Sequence, residues 1–166
     1  MTPRRRHRTK RWPGVVLGPM IAFLEERYPD GLCVEDIANT IGTTKQYISF
    51  TFNKDDMKLS GAERIARCYG YELRLYFEEK RYLEGLSAPP RTKEYPNAGN
   101  LKGLVDYTLD SNWTINRLAV MTGFSYCCIE HGFKTGDMML SVLQELTSKI
   151  GIQYIWKFEK IKTDKQ

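Results

Sequence analysis

Shifting the chain by 81 residues lays positions 20–80 on positions 101–161 without a gap. Ala38 falls on Ala119, Gly42 on Gly123, Ile48 on Ile129 and Phe52 on Phe133. Asp56-Met57 falls on Asp137-Met138, Leu59-Ser60 on Leu140-Ser141, Gly70 on Gly151 and Phe77-Glu78 on Phe158-Glu159. About a fifth of the aligned positions are identical, and the other apolar positions correspond in kind: Val34 with Ile115, Ile37 with Leu118, Ile65 with Leu146, Leu75 with Trp156. Chance supplies a few identities, but it does not preserve the spacing of nearly every apolar position. The chain is therefore two copies of one module, and any fold proposed for it must work twice.

Residues 81–100 hold Gly85, Pro89, Pro90, Pro96 and Gly99. Proline and glycine at that density break both helix and strand, so this stretch reads as a linker. The expected organisation is a basic arm over 1–14, module one over 15–80, the linker over 81–100 and module two over 101–161.

Each module has the same internal pattern. A first helix is expected from about Val16 to Tyr28, and its counterpart from about Leu101 to Leu109, because Met20, Phe23, Leu24 and Tyr28 recur at helical spacing. Pro29-Asp30-Gly31 then breaks the chain. A second helix covers Val34 to Ile41, with Glu35 and Asp36 in its first turn, where negative charge suits the helix dipole. Gly42 stands where a helix end wants positive φ. A third helix starts near Thr43-Thr44 and reaches about Phe52, and a fourth runs from Leu59 to Tyr69 and stops at Gly70. The last segment alternates: Tyr71, Leu73, Leu75 and Phe77 point one way, and Glu72, Arg74, Tyr76 and Glu78 the other. That is a strand with one buried face. Its counterpart carries Ile152, Tyr154, Trp156 and Phe158.

The stretch Ile37-Ala38-x-x-x-Gly42-x-x-x-x-x-Ile48 resembles the helix-turn-helix of the lambda-repressor/Cro-type DNA-binding family. A small residue at Ala38 lets two helices cross closely, Gly42 makes the turn, and Ile48 packs the third helix back on the core. Ile65-Ala66-x-x-x-Gly70 resembles that family's fourth-helix ending. The second copy keeps Leu118-Ala119-x-x-x-Gly123-x-x-x-x-x-Ile129, while Leu146-Thr147-x-x-x-Gly151 matches more loosely. The closing strand departs from the many members that have a fifth helix there. Cro-like proteins and some antitoxins of toxin–antitoxin pairs instead end in strands that join two subunits.

The resemblance implies that the third helix enters a major groove with its N-terminal residues against base edges. In copy one these are Thr43, Thr44, Lys45, Gln46, Tyr47 and Ser49, with Asn53 and Lys54 toward the backbone. Gln pairs bidentately with adenine, Lys reaches guanine or phosphate, and Thr methyls touch thymine. In copy two the equivalents are Phe124, Ser125, Tyr126, Cys127, Cys128 and Glu130. That surface is less polar and includes an acid, which leaves Ser125, Tyr126, His131 and Lys134 as its DNA-contacting candidates and makes copy two the weaker reader.

Charge is divided unevenly. Residues 1–15 carry +6, from Arg4, Arg5, Arg6, Arg8, Lys10 and Arg11, whereas residues 16–80 sum to −3 and residues 101–161 to zero. Counterion release scales with the phosphates neutralised, so a near-neutral body binds DNA weakly alone. The arm, above all Arg4, Arg5, Arg6 and Arg8, is expected to lie in a minor groove or along the backbone. Trp12 is expected to anchor the base of that arm on the first helix.

A lone edge strand bearing Leu73, Leu75 and Phe77 invites aggregation. Antiparallel pairing with 152–160 removes the hazard and makes the chain a covalent imitation of a dimeric repressor; pairing between two chains does so as well. The expected fold is thus mostly α with a small β component: two lambda-repressor-like modules, each ending in a strand, the strands paired antiparallel as a pseudo-dimer. The expected function is sequence-specific binding of double-stranded DNA by a cytoplasmic transcriptional repressor, acting as an intramolecular pseudo-dimer or a homodimer. The alternative is a protein-interaction module, such as an antitoxin-like partner.

Several function classes find no support in the residues. The longest apolar runs fall far short of the roughly 20 residues of a membrane span. Cys33, Cys68, Cys127 and Cys128 show no C-x-x-C spacing, so neither a metal site nor a disulfide framework is expected. Cys68 is expected in the core. No catalytic motif, Gly-rich phosphate loop or cofactor signature occurs, and the chain does not read as an enzyme. Asp55 and Asp56 are expected in the loop before the fourth helix, capping it.

Overall fold

The computed structural model describes residues 12–79, 94–111 and 113–162. Among the described residues the chain is mostly helical, with one small sheet of two antiparallel strands, β1 (Tyr71–Glu79) and β2 (Ile152–Lys160). It divides into two compact units, Met1–Leu73 with Phe158–Gln166, and Arg74–Lys157. The division falls inside both strands, so each unit owns part of each strand.

The first unit contains α1 (Gly18–Arg27), α2 (Val34–Ile41), α3 (Lys45–Lys54) and α4 (Leu59–Cys68). Pro19 lies in the first turn of α1, where its missing N–H costs nothing. Gly42 ends α2 at φ 81°, ψ 36°, and its N–H returns to the Ala38 carbonyl. Two residues later the Thr44 side chain accepts the Tyr47 N–H at 3.1 Å and starts α3. Leu17, Met20, Leu24, Ile37, Ile48, Phe52, Leu59, Ala62 and Ala66 are buried together as the core. Against it, Phe23 stacks on Phe158 at 4.1 Å and meets Tyr71 edge-on at 5.4 Å. The Arg27 guanidinium covers both Phe23 and Tyr71, at 3.8 and 4.3 Å from the ring centres. The Tyr28 and Tyr69 hydroxyls share a hydrogen bond of 2.7 Å; burial first, then that bond, raises the Tyr69 phenol above its ordinary range.

The second unit contains a 3-10 turn (Gly99–Leu101), α5 (Lys102–Asp110), α6 (Ile115–Thr122), α7 (Tyr126–Thr135) and α8 (Leu140–Lys149). Gly123 ends α6 at φ 80°, and the Ser125 hydroxyl accepts the Cys128 N–H at 3.1 Å, as Thr44 does for α3. Its core is Leu101, Leu104, Val105, Leu118, Ile129, Phe133, Leu140, Leu143, Leu146 and Ile152. The Leu75 N–H donates to Asn100 Oδ1 at 3.3 Å, and Phe77 lies over Gly103 so closely that an added Cβ would stand 2.9 Å from its ring.

Several expectations need revision. Tyr95 and Ala98, in the stretch that proline and glycine content marks as linker, are buried in the second unit, with Tyr95 edge-on to Phe133 at 5.9 Å. Those residues break regular backbone structure, but they do not prevent packing. Cys68 is exposed rather than core. The buried stripe of α4 is Leu59, Ala62, Ile65 and Ala66, and Cys68 falls past its end. Asp55 does not cap α4, whose N-cap Lys58 makes no side-chain capping bond. Asp55 instead ends α3 in the left-handed region at φ 59° and turns its carboxylate toward the start of α1.

Candidate nucleic-acid interface

Helix α3 is held by one side and shows the other. Ile48, Thr51 and Phe52 are buried, while Lys45, Gln46, Tyr47, Phe50, Asn53 and Lys54 are exposed. Thr44 is also exposed, and Thr43 and Ser49 are half-buried. Gln46, Ser49, Phe50 and Asn53 follow the i, i+3, i+4, i+7 spacing of a single helix face. The helix contains no acidic residue, and its two lysines stand at its first and last positions. All eight residues that the sequence singled out in copy one thus lie on α3 or in the turn leading into it.

The C-terminal end of α3 is tied to the segment before α1. Asp55 Oδ2 accepts the backbone N–H groups of Val15 and Val16, and Oδ1 accepts that of Leu17, each at 2.9 Å. Three backbone donors that precede a helix have no carbonyl within the helix to take them, and one carboxylate serves all three. Beside it, Trp12 stacks on Phe52 at 4.6 Å with an interplanar angle of 20°. Trp12, expected against the first helix, thus rests its ring on α3. Arg4, Arg5, Arg6 and Arg8 lie outside the described residues. Asp55 is only 8% exposed, so one of the acids that make copy one net negative is directed inward.

Helix α7 presents different chemistry at the equivalent positions. Ser125, Tyr126, Cys127, Cys128, His131 and Lys134 are exposed, and Ile129, Gly132 and Phe133 are buried. Lys134 Nζ lies 2.6 Å from Glu130 Oε1, one turn away, so its charge is compensated on its own helix. Ser125 is engaged in capping. On α6, Val120 is 84% exposed and Met121 39%, where copy one has Asn39 and Thr40. The exposed surface of α6 therefore carries apolar side chains at positions where copy one has polar ones.

Two residues of the site escaped sequence reasoning. Phe50 is 66% exposed in the middle of the polar face of α3, with Lys54 Nζ 5.8 Å from its ring centre. The signal was available: Phe50 sits two places from both Ile48 and Phe52, off the apolar stripe they define. The role of Asp55 had no such signal, because its partners are 38 to 40 residues away.

Among the described residues, no group of three or more His, Cys, Asp and Glu side chains is placed to hold a metal ion, and no helix is long and apolar enough to cross a membrane. Comparison with known proteins found no matching family model, no matching curated protein and no matching solved structure.

Proposed function

We propose that this protein binds double-stranded DNA in a sequence-specific way and acts as a transcriptional repressor, with α3 as its principal reading helix and the two repeats as a covalent counterpart of a dimeric repressor. The observation that carries this reading is the exposed face of α3. It is free of acids, flanked by Lys45 and Lys54, and set with side chains of base-reading type in Gln46, Ser49 and Asn53. Its opposite side is fixed in the core through Ile48 and Phe52, so the face is presented on a rigid element. The compensated Lys134 and the apolar residues of α6 and α7 support a lesser role for copy two. The arginines of the arm add sequence-independent attraction to phosphate.

Selection from a random duplex library at about 150 mM salt, where the Debye length is about 8 Å, tests this reading. An enriched site whose binding is weakened by Gln46→Ala supports it. Enrichment of two unequal halves assigns a reading role to both copies, and one half alone assigns it to copy one. No enrichment overturns it. The protein-interaction reading rests on Val120, Met121 and Tyr126, which are exposed at 84%, 39% and 41%. Binding that survives high salt and is lost on changing those residues favours it.

A further inference from the structure

Phe50 is an apolar ring where the rest of the exposed face is polar. A helix gains nothing from holding a phenylalanine 66% exposed, and the neighbours one turn away on either side are Gln46 and Lys54. The ring is not a lapse of the core: Ile48 and Phe52, which flank it in sequence, are both fully buried. Lys54, 5.8 Å from the ring centre, stands over it as a cation over a π face. Whatever this face meets must therefore offer an apolar group among hydrogen-bonding ones, close to negative charge for Lys45 and Lys54. The major groove of DNA has that combination at an A·T pair, where the thymine C5-methyl is the one apolar group on the floor of the groove and phosphates line its walls.

We propose that Phe50 is a specificity-determining residue that recognises the 5-methyl group of a thymine in the target site. The proposal rests on α3 being the reading helix and adds a residue and its ligand chemistry to that reading. Helical spacing puts Phe50 beside Gln46 and Asn53, one turn to either side. A thymine read by Phe50 therefore lies next to a base pair within reach of an amide side chain. The second copy has His131 at this position, so its counterpart carries no equivalent apolar contact.

The test uses the full chain and the selected duplex, with each thymine replaced in turn by deoxyuridine, which lacks only the methyl. Burying one methyl is worth roughly a three- to five-fold change in affinity. The wild-type protein is expected to lose about that much at one thymine, and Phe50→Ala to bind the thymine and uracil duplexes equally. Phe50→Leu, which keeps an apolar side chain, is expected to retain part of the preference. Thermal melting checks that the variants fold, and the exposure of the ring predicts little change. A wild-type protein indifferent to uracil at every position overturns the assignment, as does a preference that persists undiminished in Phe50→Ala. A change in sedimentation of Phe50→Ala with the thymine preference intact places the ring between copies of the chain and also overturns it. Failure to select any site removes the DNA reading itself, and is distinguished by the absence of a duplex on which to compare the bases.

Discussion

The two repeats solve the same problem at the end of the third helix of each copy with opposite residues. Asp55 and Gly136 are equivalent in the repeat, and both have positive φ, 59° and 71°. In the first unit the position carries a carboxylate that gathers three backbone N–H groups from residues 15–17. In the second unit the equivalent backbone, residues 96–98, comes so close that a Cβ on Gly136 would collide with the carbonyl oxygens of Asn97 and Ala98. One unit joins the two segments through a side chain, and the other by direct contact of main chains. Aspartate tolerates the left-handed region at a cost, whereas glycine enters it freely. Repeats can therefore keep a fold while exchanging the interaction that closes it.

The aromatic lid shows the same freedom. Phe52 and Phe133 are equivalent and both buried, yet Trp12 stacks flat on the first and Tyr95 meets the second edge-on. Trp12 and Tyr95 are not equivalent in the repeat, so a covered phenylalanine is retained while the covering residue is drawn from a different place. Phe52→Ala and Phe133→Ala are each expected to cost about 3–5 kcal/mol, measured by denaturant unfolding. A much smaller loss at one of them would show that the two cores are not equally tight.

Gly136→Asp is the next largest expected effect, a loss of about 2–4 kcal/mol, because the new side chain meets backbone rather than a flexible neighbour. If it were tolerated, the direct main-chain contact would not be what closes the second unit. Asp55→Ala should cost roughly 2–3 kcal/mol through three backbone donors left without their acceptor, and Asp55→Gly less, since glycine relieves the left-handed backbone. Hydrogen exchange at Val15, Val16 and Leu17 should accelerate in both variants. Unchanged protection there would remove Asp55 from the role assigned to it.

Smaller effects separate the two candidate faces. Gln46→Ala is expected to weaken specific DNA binding by about ten-fold, within the range of a lost bidentate base contact, and Tyr126→Ala by less. Equal losses would give both copies the same reading role. Glu130→Gln should release Lys134 and tighten DNA binding at low salt a few-fold, with a steeper salt dependence, by about one phosphate contact. No change in slope would place Lys134 away from DNA.

Much of the fold was legible because it depends on local period. The boundaries of α2 match the sequence expectation residue for residue, since its apolar spacing, acidic first turn and terminal glycine all agree. The strands were readable from alternation, and the need to cover an apolar edge called for a partner strand in this chain or another; the structure pairs β1 with β2. The candidate face was readable in part: the residues from Thr43 to Lys54 lie where helical spacing puts them, but Phe50 was not among the residues singled out, although it lies off the stripe of Ile48 and Phe52. The packing of Tyr95 and Ala98 was hidden by composition, because glycine and proline report on backbone regularity and carry no information on burial.

Residue order alone determined the duplication, through matches that recur at a shift of 81, and also the type and sequence of the elements and which side of each helix faces a core, since these last follow from spacings of two to four residues along one segment. The tertiary structure alone decided that Asp55 belongs to the start of α1, that Trp12 covers Phe52 and that Cys68 lies in solvent. The physical reason differs between them. A helical period says which residues share a face. Which partner reaches a carboxylate from some 40 residues away, or where a buried stripe ends, depends on how chain segments distant in sequence come to lie side by side.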